Sequence, residues 1–78
     1  MKSASIPLED RRFLRKLGTR LRETRVKKGW TLEQAEEHGW PSWQHLQKVE
    51  AGKNLTAITL RRIALLYRIS LSELFDKL

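Results

Sequence analysis

The stretch "SWQHLQKVEAG", residues 42–52, concentrates side chains that recognise rather than react. Gln44 and Gln47 each carry an amide that donates and accepts side by side, suited to a paired donor and acceptor on another molecule. Lys48 adds one ammonium, His45 one imidazole and Trp43 a large aromatic face. Drawn as a helix, the segment has Ser42 as its N-cap and Gly52 just past its end. Leu46 and Val49 then form an apolar side, and the opposite side is polar and rich in hydrogen-bonding groups. Metal chemistry has thin support. His38 and His45 are seven residues apart with Glu36 and Glu37 nearby, but two imidazoles without a cysteine make a poor ligand set. Surface or phosphate-facing roles fit those histidines better. Asp76 and the glutamates form no cleft-like constellation with a nucleophile, so neither an enzyme nor a cofactor is expected.

The whole chain must position that segment with little material. Its 78 residues support one domain, 1–78, and a domain of this size buries only roughly 60% of its unfolded surface. There is no cysteine, which excludes a disulfide framework and a thiolate metal site. No apolar run approaches the roughly 18 residues of a membrane span. The N-terminal "MKSASIPLEDRR" turns charged too early for a signal peptide. The expectation is a soluble, cytoplasmic single domain without a membrane or small-molecule partner, residues 1–7 being flexible.

Net charge is +7 with a pI near 10.4, which favours polyanionic partners. The distribution is uneven. Residues 8–28 hold nine Lys and Arg against three acids, whereas residues 29–47 hold three glutamates and no Lys or Arg. The polar face of the opening segment therefore lies beside an acidic stretch, and its cations must come from its flanks.

Periodicity predicts five helices and no strand. The first runs from about Leu8 to Lys28, with Pro7 suited to its start, Glu9 and Asp10 at its positive end, and Lys27 and Lys28 at its negative end. Leu14, Leu17 and Leu21 form a stripe continued by Thr24 and Arg25, and Gly29 stops it. Thr31 opens a second helix with Gln34 at capping-box spacing, and Gly39 ends it. The third is the opening segment. Thr56 caps a fourth, in which Leu60, Ile63, Ala64 and Tyr67 follow the helical period. Ser70 and Glu73 cap a fifth, with Leu71, Leu74, Phe75 and Leu78 as its apolar set.

Two short helices across a tight turn, after a long first helix, suggest a helix-turn-helix at about 31–51. Four stretches, "RLRETRVKKGWT", "HLQKVEAGKNLT", "TLRRIALLY" and "SLSELF", together resemble the XRE family, the lambda-repressor-like (Cro-type) DNA-binding domains. The likeness runs from about Leu17 to Phe75. It implies an all-α, five-helix fold and a transcriptional regulator that binds double-stranded DNA, commonly as a homodimer through its last helices. By the same likeness Trp43, Gln44 and Gln47 would face base edges. Thr31, Ser42, His45, Lys48, Lys53 and Asn54 would lie near phosphates, with Arg20 and Lys27 as weaker candidates on the first helix. A glutamine amide suits adenine N6 and N7, worth roughly 1–3 kcal/mol of discrimination. Arg25 and Glu50 occupy the positions of a structural ion pair, and Arg25 also falls on the apolar stripe, where a guanidinium needs a carboxylate.

The chain departs from the family's pattern in three places. Leu32 stands where a polar residue usually opens the second helix. An ungapped alignment would bury Glu36, so a one-residue shift that buries Ala35 and lengthens the turn "GWPS" is preferred. Trp40 and Trp43 flank Pro41; Trp40 and Trp30 are expected in the core, and Trp43 either packs or reads. Leu65, Tyr67 and Leu78 are candidates for a spare apolar patch that a dimer would cover. The alternative function is a protein-interaction module, an antitoxin-like partner that kept the fold without specific DNA recognition. Membrane-surface binding by the helix around Phe13, Leu14 and Leu17 is a further, weaker reading.

Overall fold

The computed structural model describes residues 6–78, so most of the leading segment expected to be flexible, residues 1–5, lies outside the described residues. Five helices follow in order: α1 (Leu8–Lys27), α2 (Leu32–Glu37), α3 (Trp43–Glu50), α4 (Ala57–Tyr67) and α5 (Leu71–Phe75). No strand occurs among the described residues. The fold is all-α, as the periodicity predicts.

The helix boundaries follow from local chemistry. Gly29, Gly39 and Gly52 all adopt positive φ, at 79°, 133° and 102°, just beyond the ends of α1, α2 and α3. The side chains of Thr31, Ser42, Thr56 and Ser70 each accept a backbone N–H at the start of a helix, and Thr31–Gln34 and Ser70–Glu73 close complete capping boxes. One stop carried no sequence signal. α4 ends on Arg68 in the left-handed region, φ 56°, with no glycine to mark it.

The core is assembled from Leu17 and Leu21 of α1, Ala35 of α2, Leu46 and Val49 of α3, Ile63 and Tyr67 of α4 and Leu74 of α5, with Trp40 from the turn. Trp30, Leu32, Leu60 and Leu78 pack against it, half-buried. Ala35 is fully buried while Glu36 is exposed, so the shifted placement of α2 is the one adopted. The expected spare patch is corrected in two members: Leu78 packs half-buried on the core, and Tyr67 is fully buried, which pushes its phenol well above the ordinary tyrosine range. The α5 stripe is also corrected, because Leu71 and Phe75 are exposed and only Leu74 is fully inside.

α1 is joined to α3 by two devices. Gly18, in the middle of α1, lies under the end of α3: a Cβ placed there would come within 2.5 Å of the Glu50 carbonyl oxygen and 2.8 Å of that of Val49. Two turns on, Arg25 donates from Nε and Nη2 to the two Glu50 carboxylate oxygens at 2.8 and 3.0 Å, and from Nη1 to the Trp30 carbonyl at 2.7 Å. The predicted two-point pair is therefore present, with side chains only 10% and 7% exposed, and its third contact fastens the chain after α1. Hydrogen bonding to Glu50 raises the guanidinium's pKa beyond its ordinary value, against the opposing effect of burial.

Both joints give stability predictions measurable by urea unfolding. Glu50→Ala strands a nearly buried guanidinium and is expected to cost about 3 kcal/mol, beyond the ~1 kcal/mol of an exposed pair. Gly18→Ala would gain about 1 kcal/mol at an open helix site. Here the backbone contact reverses the sign, and a net loss of about 2 kcal/mol is expected.

Candidate nucleic-acid interface

α2 and α3 are held as one unit by hydrogen bonds that begin at Thr31. Its N–H is accepted by the Gln34 side chain at 2.8 Å, and its Oγ1 accepts the Gln34 N–H at 3.1 Å. Leu32, polar in the family's pattern, packs on the core here, so the first residue of α2 offers no polar side chain. The turn is closed in two ways. The Trp40 N–H bonds the Ala35 carbonyl at 3.2 Å, and the Glu36 carboxylate accepts the N–H of Trp43, the first residue of α3, at 2.8 Å. The second bond was not foreseen. It satisfies one of the free donors at the α3 N-terminus with a charged acceptor, where a negative charge is favoured.

Ser42 then caps α3: its Oγ accepts the His45 N–H at 3.3 Å and donates to the Gln44 amide oxygen at 3.0 Å. Leu46 and Val49 point inward, while Gln44, His45, Gln47 and Lys48 are exposed. Trp43 is half-buried but not among the side chains packed on the core, so part of its indole borders the exposed face. Trp40, by contrast, is 5% exposed and belongs to the core. Their roles separate as the sequence leaves open: Trp40 packs, and Trp43 stands at the rim of the polar face.

The structure brings Trp43, Gln44, Gln47 and Lys48 together on α3 and sets Lys53 and Asn54 in the loop that follows it. Lys53 is exposed, and its N–H is tied to the Lys48 carbonyl at 3.1 Å. Asn54 spends its side-chain oxygen on the Leu55 N–H at 2.9 Å, which leaves its NH2 group outward. His45 stacks near-parallel on Trp40, centroids 5.7 Å apart, at the edge of the face. His38 stacks on Trp30 at 4.0 Å, away from α3, and no His, Asp or Glu cluster among the described residues has the make-up of a metal site. Thr31 and Ser42 serve first as caps.

One weaker candidate is corrected. Arg20 bonds the carbonyls of Glu73, Leu74 and Asp76 at 3.2, 3.1 and 2.8 Å, completing the C-terminal end of α5. A guanidinium fork on three carbonyls is a structural cap, and nothing at position 20 in the sequence distinguishes it from its basic neighbours. Among the described residues, no helix is long and apolar enough to cross a membrane.

Of the comparisons with known proteins, the one with family models finds a match. No curated protein matches the chain, and no solved structure matches it. A family model described as a helix-turn-helix matches residues 21–74, from the buried Leu21 of α1 to the buried Leu74 of α5. That match covers more than half of the chain and takes in all of α2, the turn and α3. The chain belongs to the XRE-type helix-turn-helix family, and its domain is that of a DNA-binding regulator.

Proposed function

We propose that this protein is a sequence-specific transcriptional regulator that occupies an operator with α3 in the major groove of duplex DNA. The observation that carries this reading is the exposed face of α3. Gln44 and Gln47 lie side by side on it, Lys48 and Lys53 border it, and Leu46 and Val49 hold its back against the core. A short, rigid, capped helix can present two amides to base edges without ordering them on binding. Gln47 has no hydrogen-bond partner among the described residues, so both its amide atoms are free for adenine N6 and N7. Gln44 already accepts from Ser42 and must exchange that bond to read a base. Trp43, at the rim, offers an apolar surface to a thymine methyl or a sugar.

Sequence-independent affinity falls to Lys48, Lys53 and the Asn54 amide, with Thr31, Ser42 and His45 at the helix starts. The acidic flank fits this division, since Glu36 is engaged by the α3 backbone and attraction must come from α1 and the loop. The reading includes a homodimer. Leu65, Leu71 and Phe75 on the last two helices are exposed at 62%, 44% and 39%, and two copies would set recognition helices about 34–36 Å apart.

The direct test is selection of binding sites from a random duplex pool at near-physiological salt. An enriched motif, palindromic for a dimer, is expected. A pool that stays random with folded protein would transfer the reading to a protein-interaction module. On the selected site, Gln47→Ala should relax preference at one base position and cost about 1–3 kcal/mol there. Equal losses on selected and random duplex would remove Gln47 from base readout. Lys53→Gln should weaken all sequences alike and shallow the slope of log affinity against log salt by about one unit.

A further inference from the structure

α1 carries far more positive charge than the recognition helix, and packing gives part of that charge a direction. Gly52, in the turn after α3, lies directly on α1: a Cβ there would sit 3.3 Å from the Cα of Arg15. One turn along α1, Gly18 lies under the last carbonyls of α3. Arg15 therefore abuts the loop that carries Lys53 and Asn54. Arg11 precedes it by one turn, and Arg11, Arg15, Gly18 and Arg25 share one stripe of α1 by their helical spacing. Arg11, Arg15 and Lys53 are exposed, and none of these three side chains makes a hydrogen bond or ion pair among the described residues.

Building on the DNA reading above, we propose that Arg11 and Arg15 extend Lys53 into a basic rail that grips the phosphate backbone outside the groove entered by α3. The occupant is argued from continuity and charge. The rail begins at the loop next to the recognition helix and runs outward along a straight helix. From Arg11 to Arg15, α1 rises about 6 Å, close to two base-pair steps of duplex axis. Guanidinium groups match phosphate oxygens in a two-point contact, and the α1 scaffold holds them without a flexible arm. The rail explains how a domain whose α2–α3 region carries no cation before Lys48 attracts a polyanion at all.

A competing role is stabilisation of α3, whose negative end lies beside Arg15. The two roles separate experimentally. Affinity for the selected site and for random duplex would be measured over a salt series for the wild type and for the double variant Arg11→Gln/Arg15→Gln. A charge-matched control is Arg61→Gln/Arg62→Gln, both exposed on α4. The rail variant should shallow the log–log salt slope by about two units on both duplexes, with base preference and melting temperature unchanged. The control should change the slope by less than half as much, and Arg15→Lys alone should retain it. Equal slopes for the two double variants would overturn the rail, as would a lowered melting temperature with an unchanged slope. Wild-type protein that binds no duplex at low salt would instead overturn the DNA reading, and the rail with it.

Discussion

The contact on which the rest of this structure depends is the backbone-to-helix approach at Gly18. Without a side chain at that point, the carbonyl end of α3 settles onto the middle of α1. Helices normally stand 8–10 Å apart because side chains separate them. Here the glycine removes the spacer at one point, and the Arg25–Glu50 pair, two turns away, sets the angle at another. Both devices meet α3 at Val49 and Glu50, so the C-terminal end of α3 is fixed against two points of α1. The exposed face of α3 is consequently a property of the α1–α3 joint as much as of its own sequence.

This joint also accounts for the placing of charge. A helix laid across α1 must leave its neighbours on the same stripe beside the turn that follows it. Those neighbours are arginines. α3 then stays nearly neutral and rich in amides, because most of the cations stand on a different element. Amide groups and positive charge are thereby divided between α3 and α1, with Lys48 and Lys53 at the boundary. The acidic α2 is compatible with the division, since its one carboxylate nearest α3 is engaged by the Trp43 N–H.

The small core is met by aromatic residues in unusual places. Ala35 offers little volume on α2, and Trp40 in the turn and Trp30 before α2 supply it. Trp30 also stacks on His38 and lies against Tyr67, ring centroids 5.9 Å apart, so the turn and α4 are linked through one indole. The last helix is short and leaves Leu71 and Phe75 outside, with Phe13 of α1 meeting Phe75 edge-on at 6.0 Å. A three-carbonyl cap from Arg20 ties the end of α5 back to α1.

The sequence by itself determined what depends on near neighbours along the chain. Caps at Thr31, Ser42, Thr56 and Ser70, stops at Gly29, Gly39 and Gly52, and the inward Leu46 and Val49 are all local, because hydrogen bonds and helical period span three or four residues. The Arg25–Glu50 pair was legible through family resemblance and through the placement of an arginine on an apolar stripe. What tertiary structure alone decided involves partners far apart in sequence. Gly18 carries no signal in the sequence and acquires its role only because α3 lies on it, and Arg20, a phosphate candidate in the sequence, is taken up by the α5 carbonyls. The Glu36 bond to α3 and the exposure of Phe75 belong with them. Each depends on the distance between two elements in space, a quantity that no spacing along one helix encodes.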